Sequence, residues 1–233
     1  YNDLQTLKKI ALRTGHEEDV PRFDAKLDEI KANFDELYWK GNYYMSSQVV
    51  MPDDRANAMA VNSGLAAPDK WDAIYQNVLS IKFYASNFFD RWVFEALCTM
   101  GRQEHALLRM YDRYKTMIPC SFTTLWEVYD RWWASHRDAF EAPSSLNHGW
   151  NPPVIILSQI IAGVAPEEPG WEAYHVLPKE AFLTAIKVVV PTIKGDVTVS
   201  LQKTSTQYAL SLISPEHTMA LVGIPKCSFI KLD

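Results

Sequence analysis

The chain reads as mainly α followed by β: a set of short helices that gives way to a small antiparallel β-domain. Two patterns predict this. Up to Gly163 the apolar residues recur at three- and four-residue spacing, with glycines placed to end helices. Beyond Pro169 they alternate with period two, and turn residues separate the runs. A hydrophobic content of 48% over 233 residues supplies a full core. The helical segments are short and apolar on broad faces, which suits stacked antiparallel hairpins. No repeat of fixed period is visible, so a closed toroid is expected before an open solenoid. The expected division is a helical portion over 1–168 and a β-domain over 169–233.

Leu4, Leu7, Ile10 and Ala11 form the apolar face of a first helix, which Gly15 ends. Glu17, Glu18 and Asp19 place negative charge in the first turn of a second, where the macrodipole favours it. Pro21 fits a first turn, and the buried face is Phe23, Leu27, Ile30, Phe34 and Leu37. Tyr38 to Met51 is an aromatic connection. A third helix opens at Asp53 or Asp54, both read as caps, with Ala56, Met59, Ala60 and Ser63 inward. Asp69 starts a fourth. Further helices are predicted over Phe83–Met100, Gln103–Tyr114, Thr123–Trp133 and Pro153–Gly163, and Phe140–Pro153 is a long polar loop. Strands follow around Val188–Val190, Val197–Leu201, Tyr208–Leu212 and Met219–Ile224. Lys194-Gly195-Asp196 and Ser214-Pro215-Glu216 mark turns. A sheet this small is marginal alone and is expected to pack on the helices.

Composition excludes several function classes. A formal charge of −5 and a pI near 5.7 argue against nucleic acid as a partner. No apolar run is long enough for a membrane span. Cys98, Cys120 and Cys227 have neither metal nor CxxC spacing and read as buried thiols. HExxH, GxSxG, P-loop and GxGxxG motifs are absent, so neither a metal nor a cofactor is expected. The chain starts at Tyr1, inside what reads as a helix, so it is expected to be a piece of a longer protein, with any export signal upstream.

The chemistry concentrates between Cys120 and Trp171. Glu127 and His148 lie 21 positions apart, Glu127 beside Trp126, and His148 between Asn147 and Gly149-Trp150. Indole faces stack on the apolar C–H patches of sugars. A carboxylate beside an indole is partly desolvated, which raises its pKa and suits it to take a proton from water. An alternative for Glu127 is a surface side chain in a capping box with Thr123 or Thr124. His148, in a turn, can bond a hydroxyl or orient a carboxylate; the alternative is a structural or exposed histidine. His16, His105, His136, His175 and His217 show no partner pattern and read as surface residues, and Asp130, Arg131 and Arg137 as a solvated face.

With these residues the chain resembles the C-terminal part of a bacterial α-L-rhamnosidase, an inverting glycoside hydrolase. The matching pieces are Asp54-Arg-Ala-Asn-Ala58, Glu95-Ala-Leu-Cys-Thr-Met-Gly101, Thr123-Thr-Leu-Trp-Glu127, Asn147-His148, Leu157-Ser-Gln-Ile-Ile-Ala-Gly163, Pro169-Gly-Trp171 and Val190-Pro-Thr-Ile-Lys-Gly195. They occur in the family's order across nearly the whole chain. The resemblance implies a partial (α/α)6 toroid followed by a small C-terminal antiparallel β-sandwich. It implies hydrolysis of terminal α-L-rhamnosyl linkages in rhamnose-containing oligosaccharides, polysaccharides or glycosides, outside the cell or in the periplasm. One carboxylic acid protonates the leaving oxygen, and a second carboxylate, roughly 6.5–9.5 Å away, activates water on the opposite ring face. The resemblance makes Glu127 the general base and His148 a substrate contact. Trp126, Asn147 and Trp150 are further pocket-lining candidates. Nothing before Tyr38 resembles the family's acid-bearing motif, so the general acid is expected from sequence outside this chain. The remaining alternatives are a non-catalytic structural or sugar-binding piece and another toroid hydrolase or lyase acting on a different sugar. A part-toroid would expose an apolar wall, so self-association of the isolated chain is expected.

Overall fold

The computed structural model describes residues 1–119, 125, 126, 129, 152–179 and 181–225. The expected helix over Thr123–Trp133, apart from positions 125, 126 and 129, most of the polar loop before Pro153, Cys120 and Cys227 lie outside the described residues. The chain forms two compact units, Tyr1–Ala85 and Ser86–Asp233.

In the first unit α1 (Asn2–Thr14) and α2 (Val20–Tyr38) form a hairpin tied by an ion pair of 2.6 Å between Lys8 and Asp24. Gly15 closes α1 as predicted. The three acids expected in the first turn of α2 instead make a separate 3-10 turn, Glu17–Asp19, just before it. Ala11 and Leu27 are buried, but Leu7, Ile10 and Leu37 of the predicted apolar faces stay exposed. α3 (Asp54–Asn62) is capped by Asp53, whose carboxylate accepts from the Arg55 N–H at 2.8 Å.

The Asp54 side chain is not a cap. It is fully buried and accepts the Ala85 N–H at 3.1 Å. The buried face of α3 matches the expected one only in part. Ala60 is buried as expected, but Asn57, Ala58 and Val61 point inward too, and Ala56 is exposed. The cause is Asn57, whose amide donates to the carbonyls of Tyr44 (3.0 Å) and Asp53 (2.9 Å) and accepts the Tyr44 N–H (2.8 Å). Three bonds to backbone outweigh the desolvation of one amide. They also fasten the aromatic connection, where the Tyr44 ring meets Trp39 and, from α2, Phe34 in tilted contacts at 4.8–4.9 Å. The fourth helix, α4 (Trp71–Ile74), enters through a 3-10 turn at Pro68–Lys70 and leaves through a π-turn, Tyr75–Leu79.

In the second unit α5 (Asp90–Thr99) and α6 (Gln103–Tyr114) pack as a hairpin. The bounds of α6 are those the periodicity predicts. α5 is shorter than the apolar run that suggested it. Phe88 and Phe89 precede the helix and meet Trp92 in a cluster with ring separations of 5.0–5.3 Å, so these aromatics pack on one another rather than extending a helical face. Cys98 is a buried free thiol, and burial pushes its pKa up to about 11. α7 (Pro152–Ile155) runs into a π-turn, Ile156–Ile161, and helical structure ends before Gly163.

Six strands follow among the described residues: β1 (Val164–Pro166), β2 (Ala173–Val176), β3 (Ala185–Thr192), β4 (Gly195–Lys203), β5 (Tyr208–Ile213) and β6 (Met219–Val222). They make two sheets, ordered β1-β2-β6 and β3-β4-β5. The β3–β4 hairpin turns between Thr192 and Gly195, as its turn residues predict. Two features depart from a simple antiparallel sheet. β1 and β2, of three and four residues, were too short to show a period. β6 does not fold back on β5; it pairs with β2, and in parallel. The inward faces meet in one core, with Val164, Tyr174 and Val176 packed with Val197 and Val199, flanked by Ile186, Val188, Leu210 and Leu212. Ala162, from the end of the preceding turn, joins that core.

Gly163 makes this junction possible. Its φ is +69°, and a Cβ there would lie 2.2 Å from the backbone carbonyl of Leu177. The same approach lets Leu177 N–H donate to Gly163 O at 3.0 Å. Gly163→Ala is therefore expected to cost more than about 2 kcal/mol, because the left-handed conformation alone costs roughly 1–2 kcal/mol and the backbone overlap adds to it. Gly101→Ala, at φ +74° but facing open space, should cost only the conformational part. Urea unfolding of both variants measures the difference.

Candidate active site

Of the residues singled out in the sequence, Trp126 lies among those described. Glu127, Asn147, His148 and Trp150 lie outside them. Trp126 is buried, at 7% exposure. Three residues on, Tyr129 enters the polar centre of the second unit.

That centre is built from α5 and α6. Asp90 occupies the first turn of α5, where a carboxylate meets the favourable end of the helix dipole. Arg109 and Arg113, one turn apart, lie on one side of α6. The Asp90 and Arg109 side chains are fully buried. Arg109 Nη2 donates to Asp90 Oδ1 at 2.9 Å, and the Tyr129 hydroxyl donates to Asp90 Oδ2 at 2.8 Å. Arg113 Nε lies 2.5 Å from the same Oδ2. The Arg113 guanidinium also covers the Tyr129 ring, 3.9 Å from its centroid, and Tyr114 meets that ring edge-on at 5.2 Å.

Burial pushes the Asp90 carboxyl up from its ordinary value, while the two guanidiniums and the Tyr129 hydroxyl pull towards the charged form. Burial and the Asp90 carboxylate push the Tyr129 hydroxyl up, so it stays protonated and remains a donor. One carboxylate thus joins two helices to the stretch that contains Glu127. Sequence reasoning missed this cluster. The signals were a lone aspartate in an aromatic run and a pair of arginines spaced by four on the next helix.

Two histidines differ from the surface reading. His105 is half-buried, and burial together with Arg109 holds its pKa below the usual range. His175 Nδ1 lies 2.6 Å from Glu167 Oε1. Among the described residues no three His, Cys, Asp or Glu side chains converge as metal ligands would, and no helix is long and apolar enough to cross a membrane. The first unit holds a cavity of about 420 Å³, walled mainly by Phe34, Tyr38, Tyr44, Met45 and Met59.

Residues 1–156 match the family model of the bacterial alpha-L-rhamnosidase six-hairpin glycosidase domain. The chain belongs to this family. Solved rhamnosidases share its fold. The alpha-L-rhamnosidase of Dictyoglumus thermophilum is 26% identical, with a TM-score of 0.71 over 95% of this chain and 26% of that one. A GH78 family rhamnosidase of Bacillus sp. GL1 is 24% identical, with a TM-score of 0.78 over 96% and 25%. The Streptomyces avermitilis alpha-L-rhamnosidase complexed with L-rhamnose is 16% identical, with a TM-score of 0.70 over 94% and 22%. The chain therefore spans about a quarter of the length of these rhamnosidases. A comparison with curated protein sequences found no match. The family match takes in the Asp90 cluster and all five candidate residues.

Removing the shared carboxylate leaves two buried guanidiniums facing each other. Asp90→Ala is expected to destabilise the protein by about 3–5 kcal/mol, the usual cost of orphaning a buried charge. A shifted denaturant midpoint with an unchanged m-value would show it.

Proposed function

We propose that the protein of which this chain is part hydrolyses terminal α-L-rhamnosyl linkages with inversion, with Glu127 as general base. The observation that carries this reading is the family match over residues 1–156, a range that includes the Trp126-Glu127 and Asn147-His148 segments on which the resemblance was drawn. The 26% identical relative named as an alpha-L-rhamnosidase agrees with it.

In this reading the Glu127 carboxylate takes a proton from a water molecule as that water attacks the anomeric carbon. A carboxylic acid from sequence outside this chain protonates the departing oxygen on the opposite side. His148 contacts the sugar hydroxyls, and Trp126, Asn147 and Trp150 shape the wall of the pocket. Substrates are rhamnose-containing oligosaccharides, polysaccharides or glycosides, met outside the cell or in the periplasm. Residues 1–168 form part of the catalytic domain, and residues 169–233 its C-terminal β-domain.

Positioned general bases contribute about 10²–10⁴-fold to rate. Glu127→Gln in the complete protein should therefore cut kcat on an aryl α-L-rhamnoside by about that factor and leave the melting temperature near wild type. Wild-type turnover in this variant would remove Glu127 from the mechanism. NMR of the first product formed by the wild-type protein should show the β-anomer.

Leu7, Ile10, Leu12, Leu37 and Tyr38 are exposed large hydrophobics on α1 and α2. The 233-residue chain on its own is expected to associate through such surface. Light scattering that shows a monomer at high concentration would contradict this.

A further inference from the structure

We infer that Tyr129, held by Asp90 and Arg113, is a positioning residue for Glu127. The inference rests on the general-base reading above. It starts from a feature that packing alone does not require. A buried carboxylate with two guanidiniums is a costly way to fill a core, and apolar residues of the same volume would serve stability as well or better. What such a network supplies is geometry, because each member has directional partners.

Asp90 divides its two oxygens. Oδ1 faces Arg109 on α6, and Oδ2 takes the Tyr129 hydroxyl at 2.8 Å. The Tyr129 ring is held as well, with the Arg113 guanidinium, itself paired with Oδ2, on one face at 3.9 Å and the Tyr114 ring edge-on at 88°. The tyrosine is therefore held both at its hydroxyl and at its ring.

The sequence makes this arrangement relevant to catalysis. Tyr129 is two residues after Glu127, and Trp126, one residue before it, is buried. Anchors thus lie on both sides of the proposed base. A base must be held to within a fraction of an ångström of its water, and a displacement of about 1 Å can cost on the order of 10²-fold. The Tyr129 hydroxyl does not meet substrate in this scheme. It acts through the placement of Glu127.

The test is steady-state kinetics of the complete protein on an aryl α-L-rhamnoside, comparing wild type, Tyr129→Phe, Glu127→Gln and the double variant. Tyr129→Phe keeps the ring and loses only the hydroxyl. The expected result is a fall in kcat of about 10-fold with KM within about twofold, in line with a mispositioned base. In the Glu127→Gln background the same change should cost nothing further, because an amide that cannot accept the proton gains nothing from being well placed. Arg113→Lys, which keeps the charge but removes the planar group over the ring, should show the same dependence on Glu127 and decides the matter where Tyr129→Phe does not fold.

Wild-type kcat in the folded single variants would overturn the inference, and so would losses that multiply with that of Glu127→Gln. Turnover retained by Glu127→Gln sinks the general-base reading itself. An inactive Glu127→Gln beside a fully active Tyr129→Phe sinks the positioning role alone.

Discussion

A single buried carboxylate organises the polar interior of the second unit. Asp90 is out of water, and so is the Arg109 guanidinium that meets it. Two charges so placed depend on further partners, and Arg113 and Tyr129 supply two more to the Asp90 carboxylate. The cluster joins the N-terminal turn of α5, one side of α6 and a residue two positions after the proposed base. Because the members share one acceptor, α5, α6 and Tyr129 cannot shift independently without breaking a charged contact.

The first unit satisfies buried backbone groups with side chains of α3. Asn57 fixes a loop that no regular ladder could reach, and Asp54 holds the Ala85 amide. There polar side chains on a helix replace missing backbone partners, as buried N–H and C=O groups require. In the β-domain the strands pair within two sheets, and their inward side chains close an apolar core.

The balance between what sequence showed and what it hid follows from the range of the interactions. The limits of α6 are set by a local period and by neighbouring turns, and they were legible. The β3–β4–β5 meander follows from alternation and a two-residue turn, and it was legible too. α5 was overextended because Phe88 and Phe89 are as apolar as a helical face but are used in an aromatic cluster. β1 and β2 are too short to carry a period, and the parallel β2–β6 pair joins segments more than forty residues apart. The candidate site shows the same split. Trp126, Glu127, Asn147, His148 and Trp150 stood out as residue types in a recognisable order. The link from Tyr129 to Asp90, 39 residues apart, is a matter of three-dimensional placement and left no local trace.

The parallel pairing of β6 with β2 also bears on how the polypeptide is made. A ribosome releases β1 and β2 well before residues 219–222, so the first sheet lacks its third strand until nearly all of the sandwich has been translated. The β3–β4–β5 meander can form in the meantime from neighbours alone, since low-separation contacts close fastest. The nascent chain then carries an open strand edge on β2 through this interval, an exposed template for wrong partners that closes only when β6 arrives.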